Sequence, residues 1–191
     1  MLLVKYIGGY VMHKDVAEIL VSKEEILKRC DELGKQIKEE YSAQNKTPLL
    51  VALLKGSIPF LSDLMQHLDM DGLEFDVMDV SSYSGSESLG SIKINLDLKK
   101  SLQGVSVLLV EDIVDTGRTL TEVKRMLLNK GAEDVKIVTL LDKPERPVVP
   151  IDADYIGFTI KNEFVVGYGL DYNQNYRNLP YVGVLKREVY E

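Results

Sequence analysis

Apolar residues follow two rhythms along this chain. Short, nearly unbroken runs occur at Leu49–Leu54, at Val105–Val110 and at Asp134–Leu141, which has VKIVTLL at its heart. Runs of this length suit strands buried on both faces of a parallel sheet. Between them the spacing becomes helical. Ile26, Leu27, Cys30, Leu33, Ile37 and Tyr41 share one helical face, behind a capping box of Ser22 and Glu25. Ile58–Leu68 predicts a second helix. Leu120, Val123, Leu127 and Leu128 mark a third, which Gly131 ends. Strict alternation over Leu73–Val80, and again at Ile92, Ile94, Leu96 and Leu98, predicts two strands of a hairpin. Val16–Val21, Tyr155–Ile160 and Tyr181–Leu185 add shorter strands. Strands alternating with helices predict an α/β fold, a central parallel sheet flanked by helices, in one domain over residues 1–191.

Ligands of such sheets bind at the carboxyl ends of the strands. Three charged loops, around Lys55, Asp112 and Lys143, are expected to converge there. Lys55-Gly56-Ser57 follows a buried strand and reads either as a solvated loop lysine or as an anion site. Ser81–Ser91, SSYSGSESLGS, is the most polar stretch and reads as a slack hairpin connection or a mobile lid.

The densest chemistry lies in Val105–Met126. The strand Val105–Val110 ends in Glu111 and Asp112. Asp115-Thr116-Gly117-Arg118-Thr119 and a helix follow. Gly117 lets backbone N–H groups converge, the first-turn N–H groups lack helical partners, and the helix dipole adds positive character. Thr116 and Thr119 add hydroxyl donors. Such a loop holds a phosphate, yet three acids beside it would repel one. They make sense if the ligand also offers hydroxyls, a metal or an atom that needs a proton acceptor, as a ribose phosphate does.

Composition narrows the picture. The net charge of −7 argues against a general nucleic-acid or membrane surface. One cysteine, Cys30, rules out an internal disulfide framework, fits a reducing cytoplasm and sits on a core face. No apolar run approaches a transmembrane length. His13 and His67 read as surface or structural residues, and no His/Cys spacing suggests zinc.

VLLVEDIVDTGRTL resembles the phosphoribosyl-pyrophosphate (PRPP) signature of the type I phosphoribosyltransferases. LLKGS at Leu53–Ser57, SSY at Ser81–Tyr83, LLDKP at Leu140–Pro144 and FVVGYGLDYNQNYRNLPY at Phe164–Tyr181 resemble the hypoxanthine-guanine branch of that family. The last segment is the specific one, because orotate and adenine relatives carry the signature without it. The resemblance implies a type I phosphoribosyltransferase fold. Its core would span about residues 22–160. A small hood would come from 1–21 and 161–191, with a flexible hairpin loop.

It implies an enzyme of purine salvage that transfers the phosphoribosyl group of PRPP to hypoxanthine or guanine, giving IMP or GMP and pyrophosphate. Asp115, Thr116, Gly117, Arg118 and Thr119 would hold the 5′-phosphate. Glu111 and Asp112 would face the ribose hydroxyls and a hydrated magnesium ion, and Asp171 would ligate a second Mg2+. The backbone of Lys55 and Gly56, together with Ser82, Tyr83 and Arg177, would hold pyrophosphate, across a cis Leu54–Lys55 peptide. Phe164 would stack on the purine, the backbone of Val165 would read its edge, and Lys143 would donate to the 6-oxo group. Asp115 would be the catalytic acid/base at N7. Glu163 and Arg118 each stand where some relatives carry lysine. The resemblance also implies a homodimer or homotetramer in the cytoplasm. The rival expectations are a nucleic-acid-binding regulator on the same fold and a transferase for another base.

Overall fold

The computed structural model describes residues 6–7, 10–82, 92–145, 149 and 151–191. In chain order the elements are β1 (Tyr6–Ile7), β2 (Tyr10–Val11), β3 (Val16–Val21), α1 (Lys23–Ala43), β4 (Leu49–Leu53), α2 (Ile58–Gln66), β5 (Glu74–Ser82) and β6 (Ile92–Leu96). They continue with β7 (Ser106–Val114), α3 (Arg118–Asn129), β8 (Asp134–Asp142), β9 (Tyr155–Thr159), β10 (Val165–Val166), β11 (Val182–Leu185) and α4 (Arg187–Tyr190).

The expected capping box opens α1. Ser22 Oγ accepts from Glu25 N at 3.2 Å, and Glu25 Oε2 accepts from Ser22 N at 2.8 Å. Ile26, Cys30, Leu33, Ile37 and Tyr41 then turn inward, as their spacing predicts. Cys30 packs as a core residue, and that burial pushes its thiol up to about 12. In α3, Leu120, Val123 and Leu127 are buried, but Leu128 is exposed. Adjacent Leu127 and Leu128 are about 100° apart on a helix, too far for both to face one sheet.

The main sheet has six strands in the order β6-β5-β4-β7-β8-β9. The pairs from β5 to β9 are parallel, whereas β6 lies antiparallel on β5 at the edge, so the sheet is mixed. Its unbroken apolar runs sort by parity. Leu50, Ala52, Leu108, Val110, Val138 and Leu140 join the core under α1 and α2. Leu49, Val51, Leu53, Val107, Leu109 and Ile137 join the core under α3. Alternate residues face opposite sides of a strand, so a sheet covered on both faces needs apolar residues at every position. The smaller sheet, β10-β11-β3, is antiparallel and joins the early segment at Val16–Val21 to the late one at Val182–Leu185. Val16, Val166, Tyr181 and Leu185 form its separate core.

Two features position the site. The chain leaves β4 towards β5 on one side, and later elements build β7, β8 and β9 on the other. The order of strands therefore reverses between β4 and β7, where a crevice opens at the carboxyl ends. Second, β7 does not stop at its acids. Its ladder with β8 runs through Glu111–Thr139 to Val114–Asp142, whereas its ladder with β4 ends at Val110–Ala52. Glu111 and Asp112 thus stand inside a strand, supported from β8 and overhanging the end of β4.

Candidate active site

The turn after β4 fills the space beneath that overhang. The Leu54–Lys55 peptide is cis, as the resemblance implied. Gly56 is buried, and a Cβ built on it would overlap the Asp112 carboxylate. Ser57, also buried, donates from Oγ to the Leu53 carbonyl and begins α2. Gly169, at φ +99°, presses on the Gly56 carbonyl from the other side, and a Cβ there would overlap it. Only glycine permits both approaches. Lys55 points outward, its Nζ 3.5 Å from Gln174 Oε1.

A cation sits beside these acids. Arg177 Nη2 pairs with Asp171 Oδ1 at 2.6 Å, and its Nη1 donates to Gly169 O at 2.7 Å. Its Nε is buried with no hydrogen-bond partner among the described residues. Asp171 Oδ2 accepts from Gln174 N at 2.8 Å. Burial raises the Asp112 carboxyl to about 6, while its backbone hydrogen bonds and Arg177 pull the other way. Burial, and then the Asp112 charge, hold Glu111 well above the usual carboxylate range. Two half-buried carboxyls so placed resist carrying charge together.

The loop Asp115-Thr116-Gly117 joins β7 to α3, whose first turn holds Arg118 and Thr119. Gly117 adopts φ +74° directly before the helix, and a Cβ on it would strike Val149 O and the Ile151 side chain. Val149 N donates to Thr116 O at 3.2 Å, so the loop is covered from that side. Thr121 closes the first turn of α3 through N and Oγ1 to Gly117 O, at 3.0 and 2.9 Å. A cleft of about 190 Å³ lies beside the loop, lined by Asp115, Gly117, Asp142, Lys143, Val149 and Ile151. Lys143 is only 8% exposed, and its N–H donates to Val114 O at 3.0 Å. A larger hollow of about 430 Å³ lies at the amino ends of the strands, between Lys38, Lys46 and Asp69. Lys38 pairs with Asp69, and Lys46 with Glu133, so this hollow offers balanced charge.

Phe164 lies just before β10. Its ring stacks on Tyr190 (4.8 Å, 22°), meets Tyr172 edge-on (5.6 Å, 87°) and stays 38% exposed. Val165 is buried in register with Val184. Ser82 ends β5, opposite Ile92. Tyr83 and residues 83–91 of the expected lid lie outside the described residues. The fold thus gathers Glu111, Asp112, Gly56, Asp171 and Arg177 into one cluster, and Asp115 and Lys143 into one cleft. The sequence reading did not single out Gly169, Gln174, Val149 or Ile151. Glycine in Tyr168-Gly169-Leu170 was the available signal for a close backbone approach.

A switch-point crevice, a glycine loop that runs from two strand acids into a helix, and an arginine beside those acids define a type I phosphoribosyltransferase. The phosphoribosyl transferase domain model matches residues 16–173, and the chain belongs to that family. A hypoxanthine-guanine phosphoribosyltransferase of Lactococcus lactis subsp. lactis (strain IL1403) is 54% identical over 180 residues, covering 94% of this chain and 96% of its own. A solved hypoxanthine phosphoribosyltransferase from Staphylococcus aureus shares 48% identity at a TM-score of 0.89, over 94% of this chain and 97% of its own. The enzyme from Trypanosoma cruzi, solved in complex with the product IMP, shares 39% identity at a TM-score of 0.88, over 94% and 99%.

Proposed function

We propose that this chain transfers the phosphoribosyl group of PRPP to hypoxanthine, and to guanine, releasing pyrophosphate and IMP or GMP. The observation that carries the choice of a 6-oxopurine is Lys143, a buried ammonium beside the Asp115 loop in one cleft. An ammonium has donors only, so it suits a 6-oxo group and opposes a 6-amino group. The named relatives support the same reading.

In this reading the N–H groups from Thr116 to Thr119, and the two threonine hydroxyls, hold the 5′-phosphate at the start of α3. Arg177 and the backbone at Lys55 and Gly56 hold pyrophosphate. Phe164 stacks on the purine, and the Val165 backbone reads its edge.

Magnesium suits the donors present. Glu111, Asp112 and Asp171 offer hard oxygens, and burial makes the charge on the first two unfavourable without a cation. Among the described residues no group of three or more acidic, His or Cys residues could hold a metal by itself. Magnesium accords with that, since it keeps several waters and shares its shell with substrate phosphates. When bound it supplies charge stabilisation to the departing pyrophosphate.

As the bond from C1′ to pyrophosphate breaks, the ribose takes on oxocarbenium character and N9 of the base attacks. Arg177 offsets the charge that develops on the leaving oxygen. Asp115 accepts the proton from N7. The resemblance to the hypoxanthine-guanine branch supports a homodimer or homotetramer in the cytoplasm. No helix among the described residues is long and apolar enough to cross a membrane.

Initial rates with hypoxanthine, guanine, xanthine and adenine, each with PRPP and magnesium, test the reading. Pyrophosphate release with hypoxanthine and guanine is the expected result. Release with adenine alone, or with none of the four, would overturn it.

A further inference from the structure

Arg177 is preceded by Tyr176, whose φ is +74°. For a bulky side chain this is an outlying backbone conformation that needs outside support. The support comes from far away in sequence. Tyr176 Oη donates to Asp15 Oδ2 at 2.9 Å, and the His13 ring meets the Tyr176 ring edge-on at 5.4 Å. Asp15 is itself fixed on three sides. Its N–H donates to His13 Nδ1 at 3.2 Å, and its carbonyl accepts from Lys186 N at 2.9 Å. Val16, the next residue, is fully buried at the start of β3. His13 N also donates to Tyr181 Oη at 2.7 Å, tying the same turn to the segment after Arg177.

We propose that Asp15 is a positioning residue for Arg177, acting through Tyr176. This rests on the reading of Arg177 as the pyrophosphate-holding cation. The bond from Tyr176 to Asp15 fixes the peptide entering Arg177. The Tyr176 carbonyl, on that same entering peptide, accepts from Leu179 N at 3.0 Å, and the Arg177 carbonyl, on the peptide leaving it, accepts from Gly169 N at 3.0 Å. Held at both ends, the guanidinium reaches Asp171 and Gly169. Without the Asp15 bond Tyr176 can relax to negative φ, which swings the start of Arg177 and loosens its aim at the Gly56–Asp112 cluster. The turn before β3 thereby takes part in binding the pyrophosphate moiety without touching it.

The test compares Tyr176→Phe, Asp15→Ala, Asp15→Asn and the double variant Tyr176→Phe/Asp15→Ala, in the full chain. Tyr176→Phe keeps the ring against His13 and removes only the hydroxyl. It and Asp15→Ala should each raise the KM for PRPP and the inhibition constant of pyrophosphate about tenfold, the loss of one hydrogen bond to a charged group. The KM for hypoxanthine should stay within about twofold. The double variant should be no worse than either single one, because both break the same bond. Asp15→Asn keeps an acceptor and should retain PRPP binding within about threefold. Unchanged PRPP and pyrophosphate constants in Tyr176→Phe overturn the proposal, provided Arg177→Met weakens both. Equal weakening of PRPP and hypoxanthine with a lowered melting temperature also overturns it, since that is a structural role. If Arg177→Met leaves pyrophosphate affinity unchanged, the reading of Arg177 itself fails, and the proposal with it.

Discussion

Gly56 and Asp112 touch across the reversal of the sheet. The turn after β4 passes so close under β7 that the α-carbon of Gly56 has no room for a methyl group beside the Asp112 carboxylate. One consequence is that Gly56→Ala should damage catalysis through Asp112. The carboxylate would have to turn away from the crevice, and a displacement of about 1 Å can cost about 10²-fold in rate. We expect kcat/KM for PRPP to fall by about that factor while the KM for hypoxanthine changes little. Activity within threefold of wild type would show that the turn can move aside, and that Asp112 does not need this neighbour.

Asp112 also gives a pH-dependent signature. Burial lifts its carboxyl from 3.8 to about 6, so the folded chain holds that proton more tightly than the unfolded chain. The stability it contributes is therefore complete below about pH 4 and lost as pH rises through about 6. Glu111, raised in the same direction, adds to the effect. Asp112→Asn should then be more stable than wild type at pH 7.5, by on the order of 2 kcal/mol, in metal-free buffer without substrate. The two proteins should converge near about pH 4. Urea melts at both pH values decide this, and a variant less stable at pH 7.5 would contradict the sign.

Asp115 lies in the loop that begins α3, where a carboxylate is a poor partner for phosphate. Asp115→Asn should lower turnover by about 10²–10⁴-fold while PRPP still binds, as expected for loss of a proton acceptor. Equilibrium binding of PRPP beside single-turnover rates separates the two effects. Turnover within threefold of wild type would remove Asp115 from that role.

Lys143 should decide between oxopurines and adenine. A hydrogen bond to a charged group contributes roughly 1.5–3 kcal/mol, and a base that presents a donor in place of an acceptor forgoes it. Lys143→Met should raise the KM for hypoxanthine far more than that for PRPP and shrink the gap to adenine. If the variant keeps the full preference, the 6-position of the base is read elsewhere.

The path from β7 through its loop to α3 was legible in the sequence because all its determinants are local. A valine-rich strand, Gly117 and a helical stripe lie within one short stretch. The capping box at Ser22 was legible for the same reason. What escaped depends on pairing between distant segments. Glu111 and Asp112 read as strand terminators, yet β8 extends the ladder past them and holds them in a strand. Leu128 fitted an apolar stripe that the sheet was too narrow to use. Gly169 against Gly56, and Asp15 against Tyr176, join segments whose spacing carries no mark of the other. Local periodicity reports what a residue faces on its own element, and not which remote backbone comes to meet it.

The small sheet sets an order in time. Its strand β3 is made early, but its partner β11 comes from the far part of the chain, with Val16 opposite Leu185. On a ribosome, which adds about 5–20 residues per second, the main sheet can close while β3 still lacks its neighbour. The long-range pairing that links Asp15 to Tyr176 and Lys186 is also the slowest kind to form. A growing chain can therefore present a folded sheet, with the loop from β7 to α3 in place, before it holds a steadied Arg177. Competence to turn over substrate arrives after the fold, as a late event of synthesis.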